Sequence, residues 1–156
     1  MVDYRELNQL TVVIPAQLPT FDELTMNLHG KYVSTLDITA AYHHILLTPS
    51  SAAATVFKTP FGFFQFQVLA FGMVNAPELF QRMISELLFP HHEFARVYMD
   101  DILIVSDSLD DHVANVKQVL LTLKENGLHG NLSKSNFFAK EVKWLGHNFF
   151  VGDDGV

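Results

Sequence analysis

One nine-residue stretch, Val97-Tyr98-Met99-Asp100-Asp101-Ile102-Leu103-Ile104-Val105, constrains this chain more than any other. Apart from two adjacent acids it is wholly apolar or aromatic and rich in β-branched residues, so it reads as strand destined for burial. The acids permit one break. The pattern therefore predicts two strands within residues 94–106 and a turn at Asp100-Asp101. Aspartate is a common turn residue, and an Asp-Asp turn is far more often structural than catalytic. The flanks are what shift the balance here. Two carboxylates about 4 Å apart repel by several kcal/mol where the effective dielectric is about 20, and a divalent cation would relieve that repulsion. A metal-binding hairpin and a plain acidic turn both stand at this point.

Asp37 adds a second segment. It ends a predicted strand over residues 31–38 that carries Tyr32, Val33 and Leu36. Hard cations serving phosphoryl transfer take carboxylate oxygens from more than one segment, held on rigid strands. Asp37 facing Asp100 across neighbouring strands meets that need; capping the turn at Thr39 is the local alternative. His43-His44 and His91-His92 are adjacent pairs, and neighbours in a strand point to opposite faces, so neither is a ready chelate. Asp107, Asp110 and Asp111 fit helix capping and the helix dipole. The phenylalanines at 57, 61, 63, 64 and 66 read as core and ridge rather than as a base-stacking platform.

The rest of the chain supplies a frame. Pro15 and Pro19 punctuate an extended opening over residues 4–18, and Thr20 caps a short helix over 21–28 that Gly30 ends. Thr48-Pro49 opens a helical turn through Ala54. Strands over 55–59 and 63–69 flank Pro60-Phe61-Gly62, a hairpin signal. Asn75 caps a helix whose stripe is Leu79, Phe80, Met83, Ile84, Leu87 and Leu88, stopped by Pro90. A second helix from Leu109 carries Val113, Val116, Leu120 and Leu123, with Gly127 as its C-cap. A final strand spans 142–151. This order predicts an α+β fold, an antiparallel sheet with helices on one face, in one folding unit.

Composition sets limits on function. With 49% hydrophobic residues and 17% charged, the chain can bury a real core and is not of disordered type. It has no cysteine, which removes disulfides and thiolate zinc sites. No apolar run reaches the roughly 18 to 20 residues of a membrane helix, and the N-terminus lacks a signal-peptide pattern. The cysteine-free composition allows an intracellular location, and nothing in this reading points to secretion. The net charge of -7, with ten scattered basic residues, points by itself away from nucleic acid.

Ordered motifs answer that objection. Tyr98-Met99-Asp100-Asp101 resembles the Tyr-x-Asp-Asp box of reverse transcriptases. Around it, Val2-Asp3-Tyr4-Arg5-Glu6-Leu7-Asn8, Leu36-Asp37-Ile38 with Ala41-Tyr42-His43, Phe71-Gly72-Met73-Val74-Asn75-Ala76-Pro77 with Phe80-Gln81, and Trp144-Leu145-Gly146-His147 are similar to the gypsy-type retrotransposon enzymes and their retroviral relatives. The resemblance covers essentially the whole chain. It implies a polymerase palm, a ferredoxin-like antiparallel sheet backed by helices, over residues 13–44 and 76–156, with part of the fingers over 1–12 and 45–75. It implies RNA-directed DNA synthesis from dNTPs on a primed RNA or DNA template. Asp37, Asp100 and Asp101 would be the catalytic carboxylates holding two Mg²⁺ ions, with Mn²⁺ as a substitute. Ile38, Tyr42 and Phe71 would line the nucleotide pocket, while Tyr98, Met99, Leu145 and Gly146 would position the primer. Ala70 stands where the family usually has proline, and His44 where it usually has glutamine. A thumb and an RNase H domain are expected on the remainder of a polyprotein. Loss of the basic grips carried there would leave the acidic balance seen here.

Overall fold

The computed structural model describes residues 2–16 and 18–150. In chain order its elements are α1 (Arg5–Leu10), α2 (Phe21–Thr25), β1 (Tyr32–Asp37), a 3₁₀ turn (Ala41–His44), α3 (Pro49–Ala53), β2 (Phe57–Thr59), β3 (Gly62–Phe64) and α4 (Ala76–Leu88). There follow a 3₁₀ turn (Phe89–His91), β4 (Ala95–Tyr98), β5 (Asp101–Ser106), α5 (Leu109–Glu125), β6 (Asn136–Ala139), β7 (Glu141–Trp144) and β8 (His147–Phe150). The fold is α+β, with every strand pair antiparallel. Two compact units emerge: one holds the described residues up to 16 with Ala40–Phe80, the other Leu18–Thr39 with the described residues from Gln81 onward.

The second unit is built on a four-stranded sheet in the order β4-β5-β1-β6. Strand β1 is bonded on both sides, which explains its unbroken burial from Val33 to Leu36. Its side chains alternate between faces. Val33 lies opposite Val105, and Thr35 opposite Leu103. On that face Val33, Leu103 and Val105 join Leu24 of α2 and Val142 and Trp144 of β7 in a buried cluster. Ser34, Leu36, Ile102, Ile104 and Ser106 take the other face. There the fully buried His112 of α5 is bonded through Nε2 to Ser34 Oγ at 2.8 Å and through Nδ1 to Ser106 Oγ at 2.9 Å. Both faces are thus covered: α5 lies over one, α2 and the β7–β8 hairpin over the other. Each buried Val, Leu or Ile contributes about 1.5–3 kcal/mol, so the register is held from both sides.

The first unit is tied by two asparagine amides. Asn8 Nδ2 donates to the Gly72 carbonyl at 2.8 Å, and its Oδ1 accepts from Val74 N–H at 2.9 Å. Asn75 does the same for Val12 and Ile14, at 2.9 and 3.0 Å. The side chain expected to cap α4 is therefore engaged with the N-terminal segment.

Several expectations need correction. The opening is not wholly extended, since Arg5–Leu10 is helical. The helix at 21–28 ends at Thr25, although its Thr20–Glu23 capping box is complete. Strand β3 ends at Phe64 rather than at 69. The final strand is a two-stranded hairpin, and Val151 lies outside the described residues. Phe61, Phe63 and Phe64 are exposed rather than core, as is Val113. Strand β6 was not anticipated; it pairs with β1 through a bulge, with Phe138 at φ +52°.

Candidate active site

Antiparallel pairing of β1 with β5 sets Asp37 opposite Asp101. The Ile38 N–H donates to the Asp100 carbonyl at 2.8 Å. Asp37 and Asp101 are therefore a non-hydrogen-bonded pair, the kind whose Cα atoms lie about 4.5 Å apart with side chains closest. Both carboxylates leave the sheet on the same face, the one that bears the α2 and β7 cluster. Asp100 sits one residue back, in the two-residue turn Met99-Asp100 that joins Tyr98 to its partner Asp101. Met99 has φ +53°, a conformation that such hairpins usually give to glycine or asparagine. Asp100 is exposed, Asp101 half-buried, and the Asp37 side chain 16% exposed.

The electrostatics follow from this placement. Burial pushes the Asp101 carboxyl above its usual value, and the charges of Asp100 and Asp37 push it further. Lys134 pulls the other way; its Nζ lies 3.6 Å from Asp37 Oδ2. Among the described residues no three Asp, Glu or His side chains are gathered closely enough to ligate an ion as they stand. The donor set nevertheless suits a hard cation: oxygen only, from two strands and their turn, with mutual repulsion answered by one exposed lysine.

Other predicted residues fall around or apart from these. Tyr98 and Leu145 pack against the cluster on the carboxylate face. Leu145 and Gly146, at φ +49° and +81°, form the two-residue turn between Trp144 and His147, a type I′ pattern. Ile38 is buried and bridges Gly130. Tyr42 and Phe71 belong to the first unit, where their ring centroids are 4.9 Å apart and Phe71 remains exposed. Two neighbours of the carboxylates were not singled out from sequence as site residues. Lys134 carried no local signal. Gln81 did, as a polar residue on the buried stripe of α4.

Residues 1–149 match the family described as reverse transcriptase (RNA-dependent DNA polymerase). The chain belongs to that family. It is 37% identical over its full length to a retrovirus-related Pol polyprotein from transposon opus of Drosophila melanogaster, of which it covers 16%. It is 33% identical over 94% of its length to the enzymatic polyprotein of Cauliflower mosaic virus (strain Strasbourg), of which it covers 22%. Among solved structures it resembles a foamy viral protease-reverse transcriptase in complex with double-stranded DNA. The TM-score is 0.87 at 29% identity, covering 94% of this chain and 26% of that one. The same viral protein in complex with an RNA/DNA hybrid matches with a TM-score of 0.86, also at 29% identity, covering 95% of this chain and 20% of that one. The chain thus spans a small part of the proteins it matches, and the sheet bearing the carboxylates falls within the matched family region. Among the described residues no helix is long and apolar enough to cross a membrane.

Proposed function

We infer that this chain carries the nucleotidyl-transfer centre of an RNA-directed DNA polymerase. The observation that carries the reading is the pairing of Asp37 with Asp101, with Asp100 at the adjoining turn, in a chain of the reverse transcriptase family. In this reading Asp37 and Asp100 are the principal ligands of two Mg²⁺ ions and Asp101 supports them, with Mn²⁺ as an accepted substitute. Bound there, the ions would supply a more acidic primer 3′-hydroxyl and charge neutralisation at the α-phosphate and the departing pyrophosphate. The 3′-oxygen forms its bond to the α-phosphorus as the α–β anhydride bond breaks, and the hydroxyl proton passes to solvent.

The protein's own part is placement. Residues 13–44 and 76–156 act as palm, and 1–12 and 45–75 as part of the fingers. Tyr42 and Phe71, whose rings meet at a tilt, take the sugar of a dNTP, and Ile38 is a further nucleotide-binding residue. Tyr98, Met99 and the Leu145-Gly146 turn position the primer on an RNA or DNA template. The remainder of a polyprotein supplies thumb and RNase H, and the work is done inside the cell, in a cytoplasmic particle or the nucleus.

Primer extension on an RNA template with a DNA primer, in Mg²⁺ and then Mn²⁺, tests this beside Asp100→Asn. Extension that vanishes in the variant supports the reading. Extension that persists in Asp100→Asn sinks it. Absence of extension, with Mn²⁺ bound by the wild type and not by the variant, means a competent site lacking its other domains. Absence of both leaves a retroelement remnant that acts, if at all, as a binding module.

A further inference from the structure

Helix α4 carries one polar side chain on its buried stripe. Phe80, Ile84 and Leu88 are buried, and Gln81, 3% exposed, is buried with them. A buried amide needs partners at both ends. Gln81 Oε1 accepts from the Met99 N–H at 2.6 Å. Its Nε2 donates to the Val97 carbonyl at 3.3 Å and to Ser85 Oγ at 2.8 Å. Strand β4 lies at the edge of the sheet, with β5 as its only strand neighbour among the described residues. Residues 97 and 99 present their backbone groups on the side away from β5, so Gln81 satisfies them as a further strand would. Met99 is also the residue held at φ +53°, directly before Asp100.

We propose that Gln81 is a positioning residue for the carboxylates: its amide clips the edge of β4 and the Met99 turn, and so aims Asp100 and Asp101 at Asp37. The proposal rests on the active-site reading above. Gln81 acts through the backbone of the turn and touches neither substrate nor ion. A long apolar residue at position 81 would fill the space while leaving the Met99 N–H and the Val97 carbonyl unpaired. The turn, disfavoured for methionine on its own, would then relax.

The test uses the full chain, with Mn²⁺ as the probe and amide hydrogen exchange as a second readout. In the wild type the Met99 amide should exchange as slowly as those of the buried strand β5. In Gln81→Met that protection should vanish while the amides of Leu103 and Val119 keep theirs. Mn²⁺ affinity should fall roughly ten- to a hundredfold, the usual effect of removing a group that orients a metal ligand. Gln81→Asn, one methylene too short to reach β4, should behave alike and serves where the Met variant does not fold. Fast Met99 exchange in the wild type overturns the proposal without any variant. So does a folded Gln81→Met or Gln81→Asn that binds Mn²⁺ as tightly as the wild type. Failure of the wild type itself to bind Mn²⁺ is a different result: it overturns the active-site reading, and the positioning role falls with it.

Discussion

Two titratable residues, one half-buried and one fully buried, mark where function and stability pull apart. Asp101 has its pKa raised, first by burial and then by Asp100 and Asp37. The folded state therefore disfavours its charge, and stability is lost as pH rises from about 4 through the raised value. At pH 7 the penalty is in force, so Asp101→Asn should raise stability by about 1 kcal/mol in urea unfolding while abolishing primer extension. His112 has the opposite sign. Burial holds its imidazole below the usual value, so the unfolded chain takes up a proton first as pH falls below about 6.5. Stability should drop there by up to about 1.4 kcal/mol per pH unit, and His112→Gln should flatten that part of the urea-midpoint profile. The candidacy of Asp37, Asp100 and Asp101 was legible from their apolar flanks. That Asp37 lies opposite Asp101 rather than Asp100 was not, because cross-strand register leaves no mark in a single strand.

At the scale of elements, contacts between segments explain both what was legible and what was missed. The α4 and α5 stripes, the 57–64 hairpin and the acid-broken run announce themselves through local periodicity. Strand β6 does not: Asn136-Phe137-Phe138-Ala139 is bulged and half-exposed, and only its place beside β1 makes it a strand. Helix α1 was hidden behind Pro15 and Pro19. Gly30 reads as a helix stop, yet its role is close approach. A Cβ there would lie 2.6 Å from Val105 Cγ1 and 2.8 Å from the Ser106 carbonyl oxygen. Gly30→Ala should therefore destabilise by about 1–3 kcal/mol, read as a lower urea midpoint. In the first unit, Asn75→Ala removes the bonds to Val12 and Ile14 and should speed proteolysis of the segment after α1 several-fold at a fixed protease dose.

For the molecule as a whole, charge and division into units matter more than any single contact. A net charge of -7 leaves few cations to displace the ion atmosphere of a nucleic acid. Binding of primer–template to this chain alone should be weak, with a log–log salt slope shallower than about −3, measurable by fluorescence anisotropy between low and moderate salt. Composition and periodicity did not reveal the two compact units, because the segments that form them interleave along the chain and no linker composition separates them; only the family resemblance suggested two interleaved parts. The pairing of Asp37 with Asp101 also bears on how errors of folding reveal themselves. Sliding β1 by one residue against β5 would carry Asp37 to the α5 side of the sheet. A slip of two would keep the face but shift the carboxylate by about 7 Å. Either misfolded form would retain strands, helices and much of its compactness. A primer-extension assay would thus be a stricter inspector of this sheet than spectroscopy, because only chains whose strands align would pass it.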